Sequence, residues 1–370
     1  MHEMVSAAAA DAAREDLLAH ARCGLPYRGG DFALTDWSGT EGLCSANIME
    51  TSFKGARFDG AVLRSAQFLQ CDLSAAVFRS ATLDGTTFVD CDLTGASFEG
   101  AVLKTASFVG CKMPRARFTG AEMNVVNILT SDLSDARFTS ARIDGTVLMK
   151  CLVARIDLSG VTARRFIVTD ADLRESNIEG LACDVSLFVD ADLSGRDLTT
   201  TTLSRCNLMG GNLAEANLAG MDLSGSFFMQ CTAPGANFTG VTAPSAFFSK
   251  SDLTGAQFAD ARLTNTNFQD ARLGGADFSG ANLEMAVMTG AQAPGARFTN
   301  ANMAYAQLAQ MRLDGADASG VRFLQTDVHR ASTQGMLQLG TSGNVLGTDP
   351  VKAVAELYVP QNVPRFEGEG

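Results

Sequence analysis

Large apolar residues recur in this chain every five positions. From Leu43 to Val328 there are 58 such positions in unbroken register, and they hold Leu, Phe, Met, Ile or Val except at Ala163, Cys183, Ala233, Ala243, Ala293 and Ala318. Two residues before each stands a small one, usually Ala, Ser, Thr or Cys, with Asn or Asp often between them. Two residues apart on an extended segment point to the same face. The next inward residue comes three positions later, so the pleat breaks once per repeat, at a corner. Gly fills that corner 23 times between positions 45 and 330, where its freedom to take a left-handed backbone suits a sharp turn. A five-residue side with a corner, repeated without insertion, predicts a polygonal coil.

The number of sides follows from where the rings fall. Phe is concentrated in one column (Phe58, Phe78, Phe98, Phe118, Phe138, Phe238, Phe258, Phe278, Phe298) and another ten residues out of phase with it (Phe68, Phe88, Phe108, Phe188, Phe228, Phe248, Phe268). The remaining two columns hold one each, Phe53 and Phe323. Residues twenty apart therefore stack, four repeats close one coil, and bulky rings enter from opposite sides while Leu fills the other two, an alternation that packs a narrow core. About 14 coils at about 4.8 Å each predict a rod of roughly 67 Å. The motif small–Asp/Asn–Leu/Phe–polar–Gly, as in Ala276-Asp277-Phe278-Ser279-Gly280, closely resembles that of the pentapeptide-repeat family. The resemblance implies an all-β solenoid, a right-handed quadrilateral β-helix; its hand comes from the family and its four sides also from the Phe columns.

The ends depart from the repeat. Residues 4–22 read as an Ala-rich helix, so 1–30 is expected to form a helical cap, 31–331 the β-helix, and 332–370 a non-repeat tail. In that tail Asp349-Pro350 resembles a helix start running to about Leu357. A coil stack exposes backbone and core at both ends, which gives terminal helices a capping role.

Composition narrows the function. With 29 basic and 41 acidic residues the net charge is −12, which argues against direct nucleic-acid binding. No apolar run is long enough to span a membrane. No secretory signal stands at the N-terminus, and nine cysteines without disulfide spacing fit a reducing compartment, so a cytoplasmic protein is expected. Only three histidines occur, His2, His20 and His329, and no Walker, HExxH or GxSxG motif does. No enzyme, cofactor or small-molecule substrate is expected. Cys71, Cys91, Cys111, Cys151 and Cys231 share one inward column and form a line, whereas a metal needs ligands converging on a point; they read as small core residues. Asp72, Asp92, Asp132, Asp172, Asp192 and Asp252 form an outward acidic ladder. The family resemblance makes a DNA-mimicking, gyrase-binding protein of the quinolone-resistance kind the alternative function, although Asp is also the consensus residue beside the corner.

One outward column is apolar where its siblings are polar: Met49, Leu69, Val89, Val109, Leu129, Met149, Thr169, Val189, Met209 and Met229. Beside it, on the same side, stand Val147, Ile167, Leu187, Phe227 and Phe247. Such a stripe exceeds the usual exposed patch, and its methionines adapt to irregular partners. A terminal segment folded back, a homodimer seam or a protein partner could cover it, and the expected function is a non-catalytic interaction scaffold. The resemblance extends to proteins from type VI secretion gene clusters, which makes secretion machinery one candidate partner. A second irregularity lies at 151–200, where small inward positions hold Ile156, Val161, Phe166, Leu181 and Arg196. An arginine aimed into a dry core is costly unless paired, so a local widening is expected near Arg196.

Overall fold

The computed structural model describes residues 2–351 and 353, with side chains from Asp11 onward. It is a four-sided parallel β-helix entered by one helix, α1 (His2–Cys23). Residues twenty apart pair in parallel along most of its length, as in Gln67↔Thr87, Phe68↔Phe88 and Leu69↔Val89. The sides are named here by one central residue each: the Phe68, Leu73, Phe78 and Leu83 sides, in order around the coil. The Phe68 side begins at strand Pro26–Asp31 and runs as a nine-stranded sheet to Leu187–Val189. Six strands of the Leu83 side, Val102–Lys104 to Thr202–Ser204, form a second sheet. Elsewhere most coils are joined to the next by single bridges.

The corners set the polygon. Every corner residue from Ser45 to Arg330 takes a φ between 47° and 73°, Gly or not, except Glu175 and Thr200. At most of them the chain closes a four-residue turn, for example Ala66 N–H to Leu63 C=O at 3.0 Å, with the positive φ where a type II turn requires it. Inside, the two Phe columns stack along the axis: Phe78–Phe98 at 5.0 Å and Phe98–Phe118 at 4.8 Å, Phe88–Phe108 at 4.9 Å. Rings of opposite columns meet edge to face, as Phe98 and Phe108 do at 5.6 Å and 85°, a favoured aromatic geometry.

At the N-terminal mouth α1 covers the first coil. Leu17 is buried, Leu18 lies against Gly42, and the Arg14 guanidinium sits 4.6 Å over the buried Trp37 ring. At the other end the ladder outlasts the repeat: Arg312↔Ser332 and Asp317↔Leu337 still bridge, and Arg322–Asp327 pairs with Ser342–Leu346. A backbone ladder needs only a coil beneath it, whereas the core needs apolar inward residues, and here Thr333, Gln338 and Thr341 stand where Leu and Ala would. Asp349 then caps a new turn, its carboxylate accepting from Val351 N–H at 2.8 Å and its carbonyl from Ala353 N–H at 2.9 Å. The rest of the helix expected to reach Leu357 lies outside the described residues.

The 151–200 region divides into two cases. Ile156, Val161, Phe166 and Leu181 are buried within the core, and the coils that carry them have the undersized centres Ala163 and Cys183. Volume moved from the central to the flanking position keeps the section filled. Arg196 is different. The Leu73 ladder runs unbroken except between Leu152 and Asp172, the Phe78 ladder except between Asn177 and Asp197, and the Leu83 ladder except between Thr202 and Asp222. Each gap falls one side and one coil beyond the last, and the Phe68 ladder has none. The Arg196 guanidinium donates to Arg174 C=O at 3.0 Å and Ser176 C=O at 2.6 Å. In the regular pattern those carbonyls would accept from Arg155 N–H and Asp197 N–H, as Ala154 and Ile156 accept from Asp135 and Asn177. The arginine thus stands in for two missing rungs, and the corners beside it, Glu175 and Thr200, are the two that leave the left-handed region.

Candidate functional site

The apolar stripe lies on the Phe68 side, the one face whose ladder is continuous. Met49, Leu69, Val89, Val109, Leu129, Thr169, Val189, Met209 and Met229 are half-buried, and so are Ile167, Leu187 and Phe247; Met149 and Phe227 are exposed. Half-burial here comes from neighbours: side chains one coil apart cover each other's flanks, and Phe227 and Phe247 stack at 4.9 Å and 5°. The result is a ribbon with its outer edge in solvent. Among the described residues, α1 meets the first coil at Tyr27, Trp37 and Gly42, and none of these contacts reaches the ribbon from Leu69 to Met229.

Charge borders the ribbon unevenly. On the Leu73 edge Asp90, Asp170 and Asp190 are exposed at the corner and, among the described residues, take part in no salt bridge. On the Leu83 edge Arg165 is held by Asp144 at 2.9 and 2.7 Å, and Arg205 by Asp184 at 3.1 Å through Nε and again through Nη2. The acidic ladder is largely a turn device. Asp72, Asp92, Asp132, Asp172, Asp192 and Asp252 each accept the backbone N–H two residues on at 2.9–3.1 Å. Hydrogen bonds from Arg174 also hold the Asp172 carboxyl below its usual range.

A groove on the Leu83 side was not read from the sequence. It encloses about 1000 Å³ and is walled by Glu122, Arg142, Asp144, Arg164, Asp184 and Arg205 over a floor that includes Met123, Ile143 and Ala163. Opposite charges placed twenty residues apart on one side, Glu122 with Arg142 and Arg164 with Asp184, are the signal that could have marked it.

The cysteine column is core. Cys71, Cys91, Cys111, Cys151 and Cys231 are buried, and their thiols reach carbonyls of the coil below, as Cys91 reaches Phe68 C=O at 3.2 Å. Burial pushes the Cys231 thiol up to about 12 and that of Cys206 to about 11. A pKa of 12 leaves about a ten-thousandth as thiolate at pH 8. A maleimide is therefore expected to modify Cys23, the exposed cysteine, within minutes, while Cys206 and Cys231 react only after denaturation. Mass spectrometry of the timed reaction checks this, and labelling of Cys231 at the rate of Cys23 would contradict it.

Among the described residues no helix is long and apolar enough to cross a membrane. A comparison with curated proteins finds no match. Among solved structures, QnrB1, a plasmid-mediated fluoroquinolone resistance protein, is similar at 19% identity over 46% of this chain and 96% of that one, with a TM-score of 0.34. HetL, a pentapeptide repeat protein involved in heterocyst differentiation regulation from the cyanobacterium Nostoc sp., is similar at 22% identity over 70% of this chain and 87% of that one, with a TM-score of 0.18. The sequence model for a pentapeptide repeat region matches residues 61–133, and that for pentapeptide repeats matches six overlapping segments between 186 and 332. Together they span more than half of the chain, and the chain belongs to the pentapeptide-repeat family.

Proposed function

We propose that this protein is a non-catalytic scaffold that binds a protein partner through the Phe68 side. The observation that carries the reading is the solvent-facing apolar ribbon from Met49 to Met229, on a side where the repeat elsewhere tolerates polar residues. Apolar surface of this extent, left open among the described residues, favours association, and an unbroken parallel ladder beneath it gives a rigid, pre-organised platform. The acidic ladder gives less support to the DNA-mimic alternative, because its carboxylates are engaged in local turns.

Val109→Asp, Met149→Asp and Met209→Asp place a charge at three points of the ribbon. Each is expected to weaken self-association, or capture of a partner from native lysate, by at least about 30-fold, the cost of desolvating an unpaired charge at an interface. Sedimentation analysis and quantitative pull-down read the effect, and unchanged melting curves verify that the half-exposed positions leave the fold intact. Wild-type association in all three variants would overturn the reading.

A further inference from the structure

The ribbon has one break in its relief. Between Leu187 and Phe227 the intervening coil carries Asn207, and a notch of about 230 Å³ opens there, lined also by Val185, Ser186 and Arg205. Its volume exceeds the roughly 150 Å³ that accepts a benzene ring in a protein interior. Phe227 is 37% exposed and Val185 40%. Arg205 is fixed at the rim by its two bonds to the Asp184 carboxylate, which hold the guanidinium and offset its charge. The Asn207 Oδ1 accepts from Met209 N–H at 2.8 Å, which leaves the Nδ2 amide as an available donor beside the apolar Val185, Leu187 and Phe227. Across the ribbon from Arg165 and Arg205, whose charges are offset by Asp144 and Asp184, Asp170 and Asp190 take part in no salt bridge among the described residues and add negative charge to that edge.

We propose that this notch seats one tyrosine of a partner protein, presented on an apolar segment whose flanking residues are lysine or arginine. The ring stacks between Phe227 and the Arg205 guanidinium, an arrangement that suits aromatic anchors at interfaces. Its hydroxyl oxygen accepts from Asn207 Nδ2, and the flanking cations meet Asp170 and Asp190. The inference rests on the reading of the Phe68 side as a protein-binding face, and names its anchor.

The test uses the full chain with three synthetic peptides, Ac-KLYLK-NH2, Ac-KLALK-NH2 and Ac-ELYLE-NH2, followed through the methyl resonances of Val185 and Leu187. The first is expected to shift both and to bind at least tenfold tighter than either of the others. Phe227→Ala should remove the advantage over the alanine peptide, and Asn207→Ala, which deletes the Nδ2 donor, should reduce it. Equal binding of the three peptides overturns the proposal, as does equal affinity for N-acetyltyrosinamide alone, which would mark a site for free aromatic molecules. If the peptides bind alike while Met149→Asp still abolishes association, the notch is wrong and the face stands. If the tyrosine peptide binds the notch while the three aspartate variants associate normally, the anchor stands and the long ribbon does not.

Discussion

Phe98→Ala is expected to destabilise the rod by about 3–5 kcal/mol, the range for removing a fully buried aromatic side chain. Phe98 is wholly buried and meets four rings: Phe78 and Phe118 stacked along its own column, Phe88 and Phe108 edge-on from the opposite one. The narrow section allows little collapse, because every wall is a ladder strand bonded above and below. Phe138, at the end of its stack with Phe118 its one close ring at 4.6 Å, is the control: Phe138→Ala should fall at or below the lower end of that range. In a solenoid each coil is held by its neighbours, so the loss should be local. Hydrogen exchange should accelerate in the coils of Phe78, Phe98 and Phe118 and stay slow around Phe258, where an equivalent stack is untouched. Urea unfolding gives the total and exchange gives the location. A cost below about 1 kcal/mol, or uniform acceleration along the rod, would mean that the rings do not act as the packed column described.

The same columns explain how much could be read from the sequence. Five-residue register, four sides and the opposed Phe stacks were legible because each is a periodicity, and a solenoid repeats its contacts at the sequence period. The apolar ribbon was legible for the same reason, since outward residues of one side also recur every twenty. Features that depend on one residue reaching another coil were not. The volume exchange between Ala163 and Phe166 requires knowing that two positions share one cross-section. The Leu83 groove shows in the sequence only as opposite charges twenty residues apart, and that these stand as walls over an apolar floor requires the coils to be in place. Past Ala331 the apolar pattern fails while the backbone ladder continues to Leu346, because pattern reports the core and not the hydrogen bonds. At the corners, Gly marks only part of a conformation that Ser65, Asp90 and Arg115 adopt equally.

The three ladder gaps bear on the second large effect. Arg196→Ala is expected to stabilise the protein by about 1–2 kcal/mol, the opposite sign to the usual loss of a half-buried, bonded side chain. Two hydrogen bonds disappear, to Arg174 C=O and Ser176 C=O. Yet these carbonyls have backbone donors waiting, Arg155 N–H and Asp197 N–H, in the geometry that adjacent coils already use at 2.8–3.0 Å. Alanine is the ordinary residue at this inward position, so the coil can close. Closure also removes a buried guanidinium Nε that finds no acceptor, and leaving such a group unpaired costs about 1–3 kcal/mol. Arg196→Lys should go the other way, because an ammonium on a flexible stem cannot bridge two carbonyls in the fixed plane of a guanidinium. The decisive readings are the urea midpoint and the exchange rates of the Arg155 and Asp197 amides, which should become protected in the alanine variant. A lower midpoint with both amides still exchanging freely would show that the gaps have another origin and that Arg196 is their plug. A higher midpoint with protected amides would make Arg196 the cause of the two gaps at its carbonyls, on the Leu73 and Phe78 sides, beside a Phe68 side that stays closed.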